Sequence, residues 1–143
     1  MGAITAGAET HQVETARPLG ELVGVCFQIR DDIFDYFKTD IGKPTGNDLR
    51  EGKFTLPAIY AVTHHPSERI VELVKRVKQL KATNEEIEEI IEFTKQQGGI
   101  AYAEQKMVEL CEEALKVLTE FKNEDVREAL KLYISFVADR KLW

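Results

Sequence analysis

Apolar residues recur at helical spacing along nearly the whole chain. At about 100° per residue, Leu22, Val25, Cys26, Ile33, Tyr36 and Phe37 fall within about 80° of Ile29. This predicts a helix from near Thr10 or Pro18 to about Lys38, with a broad apolar face. Pro18 leaves its start open, because proline suits a first turn and interrupts an interior. Met1-Gly2-Ala3 reads as the interior of a small-residue helix. A glycine-punctuated stretch over residues 42–53 leads to a short helix from about Thr55 to Thr63, which His64-His65-Pro66 should end.

Ser67 is placed to cap a helix carrying Ile70, Leu73, Val74 and Val77, and Thr83 with Glu86 has the spacing of a capping box. In the next helix Ile87, Ile90, Ile91 and Thr94 share one face, opposite a solvated run of glutamates. Gly98-Gly99 interrupts the pattern, either as a break or for close helix packing. Met107, Leu110, Cys111, Ala114, Leu115 and Leu118 then resume it within 100–121. Asn123 is a good N-cap for a last helix whose expected buried stripe is Val126, Leu130, Ile134 and Val137. No strand-like alternation or repeat appears, so the predicted fold is all-α.

Composition adds bounds. The 143 residues, 43% apolar and 31% charged, suit one globular domain over residues 1–143. A net charge of −6 without a basic stripe argues against nucleic-acid binding. No apolar run reaches the roughly 18 residues needed to span a bilayer, and no signal-peptide pattern is present, so a cytoplasmic protein without an integral membrane segment is expected. Cys26 and Cys111 sit in apolar helical contexts and read as buried thiols. His64 and His65 form no metal-ligand pattern and read as loop residues.

The candidate chemistry lies between Phe27 and Pro57. Gln28, Asp31 and Asp35 gather away from the centre of the apolar face, with Asp31 and Asp35 one turn apart and Asp32 beside them at its edge. Like charges so placed call for a cation, and magnesium, which takes oxygen ligands and is usually held by one or two carboxylates with substrate phosphates, fits best. The alternative is a solvated acidic face. Lys43 and Lys53, beside Gly42, Gly46 and Gly52, supply point charges suited to phosphate oxygens.

The joined string FQxxDDxxD followed by GKPxGNDLxxGKxTLP resembles the second aspartate-rich region of the trans-type isoprenyl diphosphate synthases, and GNDLREGKFTLP is most similar to their longer-chain polyprenyl members. GGIAYA, from Gly98 to Ala103, also resembles a family pattern. The resemblance implies the C-terminal half of an isoprenoid-synthase-type helical bundle. It implies a Mg2+-dependent transferase joining isopentenyl diphosphate to an allylic diphosphate, and a homodimer or other homo-oligomer. On it, Asp31 and Asp35 would ligate Mg2+ directly while Asp32 and Asp48 assist or hold its waters. Lys43 would grip the allylic diphosphate, Lys53 would contact diphosphate or metal-bound water, and Phe27 with Gln28 would line the pocket where the substrates meet.

The family uses two facing aspartate-rich helices, and no DDxxD or DDxxxxD precedes Asp31 here. The sequence therefore reads as a partial domain with little synthase activity alone. Two departures accompany this: a short loop between Asp35 and Gly42, and Pro18 where the family continues a helix. The rivals are a non-catalytic helical subunit, in which Asp31, Asp35 and Lys43 would be replaceable, and a terpene cyclase. The Asn, Ser/Thr, Glu triad of the cyclases fails from Asn47, where Glu51 and Thr55 stand in the required places. Arg140, Lys141 and Trp143 read as a frayed tail.

Overall fold

Eight helices make up the described residues, with no strand among them: α1 (Gly2–Thr5), α2 (Thr10–Phe34), α3 (Asn47–Arg50), α4 (Leu56–His64), α5 (Glu68–Lys78), α6 (Asn84–Gln96), α7 (Gly99–Leu118) and α8 (Glu124–Ala138). The computed structural model describes residues 1–37 and 45–138. Lys43, Gly42 and the tail residues Arg140, Lys141 and Trp143 lie outside them.

The helix starts follow their local signals. Ser67 Oγ accepts the Ile70 N–H at 3.2 Å. Thr83 Oγ1 accepts the Glu86 N–H at 3.2 Å while Glu86 Oε2 accepts the Thr83 N–H at 2.8 Å, a complete capping box. Asn123 Oδ1 accepts the Val126 N–H at 3.1 Å. Each such cap satisfies amides that a helix start otherwise leaves unpaired, for about 1 kcal/mol.

The described contacts divide the chain into two units. Met1–Gln28 and the residues from Lys106 on form one, and Ile29–Gln105 the other. In the first, Leu19, Cys26, Met107, Cys111, Ala114, Leu118, Ile134 and Val137 are buried. In the second, Leu73, Val77, Ile87, Ile90 and Ile91 are at most 2% exposed, and each such side chain contributes about 1.5–3 kcal/mol by leaving water. The face predicted for α6 is the face it buries, Thr94 included. Arg69 clasps Glu89 with two bonds of 3.0 and 2.7 Å, and Arg76 Nε donates to Glu86 at 2.9 Å, so α5 and α6 are tied by polar contacts as well as packing.

Helix α2 starts at Thr10, the earlier of the two expected starts, and runs through Pro18; the missing N–H removes one rung, and buried Leu19 and Cys26 beyond it keep the helix anchored. Its end and several burial expectations are corrected. It ends at Phe34, short of Lys38, because Tyr36 and Phe37 turn back to the carbonyls of Ile33 and Phe34 at 3.1 and 3.0 Å. Val25 and Phe37 are 47% and 46% exposed although they lie on the apolar face, and Val126 is 41% exposed, so the stripe of α8 narrows to Ile134 and Val137 with Leu130 half-buried. The small-residue start forms only a four-residue helix that buries nothing.

Gly98 and Gly99 do both of the things a glycine pair allows. Gly98 takes φ +76°, breaking the chain between α6 and α7. Gly99 opens α7 pressed against the Pro57 carbonyl and the Thr94 side chain, where a Cβ has no room.

Cys26 and Cys111 face each other in the first unit as free thiols. Cys111 Sγ donates to Cys26 Sγ at 3.2 Å, and Cys26 Sγ donates to the Met107 carbonyl at 3.6 Å. Burial first, and the Cys111 neighbour second, push the Cys26 thiol up to about 12. Thiolate is the reactive form. Alkylation followed by mass is therefore expected to leave both thiols unmodified at neutral pH in the native chain and to modify both in denaturant; native modification at the rate of a free cysteine would contradict this packing.

Candidate functional site

The last two turns of α2 and the two helices that follow build a carboxylate site within the second unit. Asp31 is exposed, and among the described residues its carboxylate takes no hydrogen bond or ion pair. Asp32, one position on, is half-buried, and the backbone N–H of Leu56 at the start of α4 favours its charged form. Burial, then the charges of Asp48 and Asp31, raise its affinity for a proton above that of an ordinary carboxylate, against the pull of that N–H. Asp48, on α3, is raised likewise, by burial first and by Asp35 second, with Lys53 opposing.

Asp35 is engaged differently. Its Oδ1 accepts the Asn47 backbone N–H at 3.0 Å and the Asn47 side-chain amide at 2.9 Å, and its Oδ2 accepts the Asp48 N–H at 3.0 Å. The Gly46 N–H closes on the Asp35 carbonyl at 2.8 Å. Asp35 thus does for α3 what an N-cap side chain would do, because the N-cap position itself is Gly46 and has none. Gly46 holds φ +73°, and a Cβ there would stand 2.7 Å from Ile91 Cδ1 and 3.0 Å from Ile87 Cγ2. The core of α6 therefore sets where the Asn47–Asp48 segment meets Asp35.

Tyr36, 3% exposed, anchors the other side. Burial pushes its phenol up to about 12, opposed by the Thr55 side chain and the Ala58 backbone in the first turn of α4. Thr55, the N-cap of α4, makes no side-chain cap bond to its own helix. Two helix starts, α3 and α4, thus converge on Asp35, Asp32 and Tyr36.

Of the other expected residues, Lys53 is exposed and paired with Glu51 at 2.6 Å, an exposed contact that raises its affinity for its proton. Phe27 and Gln28 belong to the first unit, where with Leu19 and Val23 of α2 and Leu130 and Tyr133 of α8 they line an open apolar groove of about 440 Å³. Lys43 lies outside the described residues. The residues missed by sequence reasoning are Asn47 and Tyr36. The Gly-Asn-Asp run was the available signal for the first, since Asn and Asp favour helix starts.

Among the described residues no three acidic, histidine or cysteine side chains converge as a closed metal cluster. The donor set nevertheless fits a magnesium ion completed by substrate, which is usually held by one or two carboxylates with waters and phosphates. Asp31 offers an open carboxylate, and the mutual repulsion read at Asp32 and Asp48 is what a divalent cation would relieve.

Residues 1–94 match the polyprenyl synthetase family. The chain belongs to that family. A geranylgeranyl pyrophosphate synthase from Bacteroides thetaiotaomicron superposes with a TM-score of 0.89 at 40% identity, over 97% of this chain and 45% of its own. A short chain isoprenyl diphosphate synthase of Methanothermobacter thermautotrophicus is 33% identical over 98% of this chain and 43% of its own length. A polyprenyl synthase from Caulobacter crescentus CB15, solved with calcium and isoprenyl diphosphate, aligns with a TM-score of 0.83 at 29% identity over 98% of this chain and 43% of that one. The chain thus spans less than half the length of these polyprenyl synthetase relatives. The all-α reading and the family resemblance both hold. No helix among the described residues is long and apolar enough to cross a membrane.

Proposed function

We propose that this chain carries the second-aspartate half-site of a Mg2+-dependent polyprenyl diphosphate synthase, which joins isopentenyl diphosphate to an allylic diphosphate. The observation that carries the reading is the open carboxylate of Asp31 beside Asp32 and Asp48, whose proton affinities are raised partly by neighbouring carboxylates. Family membership gives that cluster its chemistry.

Bound magnesium would supply Lewis-acid neutralisation of the diphosphate as the allylic carbon–oxygen bond breaks. Asp31 would hold it directly. Asp35 would contribute through Oδ2, and Asp32 and Asp48 would take its waters. Lys53, on leaving Glu51, and Lys43 would add positive charge at the leaving group. Such a reaction needs no covalent nucleophile on the protein, only charge placement and exclusion of water. Homodimerisation belongs to the same proposal.

Calorimetry with farnesyl diphosphate and Mg2+ tests the reading. Wild type is expected to bind in a magnesium-dependent way. Asp31→Ala should weaken binding at least about tenfold, or 1.4 kcal/mol. Equal binding by the two proteins would remove Asp31 from the site and favour a non-catalytic helical subunit. With labelled isopentenyl diphosphate added, binding without elongation is the expected result for this chain alone.

A further inference from the structure

Among the four aspartates at the site, Asp35 is nearly saturated with hydrogen bonds. A carboxylate offers about four lone-pair directions, two on each oxygen. On Asp35, Oδ1 has both filled by the two nitrogens of Asn47 at 3.0 and 2.9 Å, and Oδ2 has one filled by the Asp48 amide at 3.0 Å. One direction remains, on Oδ2. The placement of Asn47 is itself fixed by its neighbour Gly46, which bonds the Asp35 carbonyl at 2.8 Å and sits against Ile87 and Ile91 with no space for a Cβ.

We infer that Asn47 is a specificity-positioning residue: by occupying Oδ1 of Asp35 it restricts that carboxylate to a one-point contact and so sets the site's preference for magnesium over calcium. The inference rests on the metal-dependent site proposed above and deepens it. Magnesium demands near-octahedral geometry at about 2.0–2.1 Å and suits one-point carboxylates. Calcium accepts about six to eight oxygens, including carboxylates that bind through both oxygens. With the Asn47 side-chain amide removed, Oδ1 and Oδ2 each keep one free direction and two-point binding becomes available. Discrimination between the ions then relaxes without any carboxylate being lost.

The test titrates Mg2+ alone and Ca2+ alone into wild type, Asn47→Ala and Asn47→Ser, following the backbone amide signals of residues 45–48 by NMR. The ratio of magnesium to calcium affinity is expected to fall about tenfold in Asn47→Ala, mainly through tighter calcium binding. Asn47→Ser, whose hydroxyl can donate toward Oδ1, should recover part of the preference, and it carries the test if Asn47→Ala loses its helical circular dichroism. An unchanged ratio, or parallel weakening of both ions as a merely structural role would give, overturns the inference while leaving the proposed function standing. Wild-type signals that respond to neither ion overturn both.

Discussion

Gly99→Ala is expected to destabilise the chain by about 3 kcal/mol, the upper part of the range for overpacking. Helix propensity alone predicts the opposite sign, since alanine is favoured over glycine in a helix by about 1 kcal/mol. The difference lies in what the new methyl meets. At Gly99 it would collide with the Pro57 carbonyl oxygen and stand 2.9 Å from Thr94 Cγ2 and 3.0 Å from the Pro57 carbonyl carbon. Two of those three atoms are backbone in the first turn of α4, so no rotamer change relieves them, and α4 and α7 must separate. Gly98→Ala is the control, because its Cβ would enter open space and only its φ of +76° is unfavourable, a cost of about 1–2 kcal/mol. Urea unfolding followed by circular dichroism should order the midpoints as wild type, Gly98→Ala, then Gly99→Ala. A Gly99→Ala midpoint at or above that of Gly98→Ala would mean that the two helices are not packed as described.

The second large effect separates two carboxylates of one motif. Asp35→Ala should cost about 2 kcal/mol of stability, in the range for hydrogen bonds to a charged group. It strips the acceptor from the Asn47 and Asp48 amides and from the Asn47 side chain, and so loosens α3. Asp31→Ala should change stability by no more than about 0.5 kcal/mol, as for an exposed residue without partners. In diphosphate binding the order is expected to invert, with Asp31→Ala the more damaging per unit of stability lost. Thermal melting in EDTA measures the first quantity, and magnesium-dependent binding of the folded variants measures the second. Equal melting losses for the two variants would show that Asp35 has no special structural part.

What the sequence revealed and what it concealed divide by the range of the forces involved. Ser67, the Thr83–Glu86 pair and Asn123 act on amides three residues away, and each cap forms where the sequence places it. The face of α6 was equally legible, because Ile87, Ile90, Ile91 and Thr94 repeat at the helical period. Val25, Phe37 and Val126 share that kind of periodicity yet stay exposed, since periodicity says which face is apolar but not how far a neighbouring helix covers it. Asp31, Asp32, Asp35 and Asp48 were recognised as a group from their likeness to a family motif, and the charges of Asp48, Asp31 and Asp35 all raise the proton affinity of Asp32. The bonds from Asn47 and Asp48 to Asp35 cross twelve and thirteen positions. No local rule predicts them, and so a residue expected to serve only a metal also holds a helix.

That double duty of Asp35 bears on how such a motif would decay. In a lineage released from selection for catalysis, Asp31 could drift at almost no cost to folding, whereas Asp35 would stay under purifying selection for as long as α3 is kept. A descendant retaining the third aspartate of the motif but not the first would therefore be the signature of a folded relic, and the persistence of Asp35 alone would be poor grounds for calling any member of the family an active enzyme.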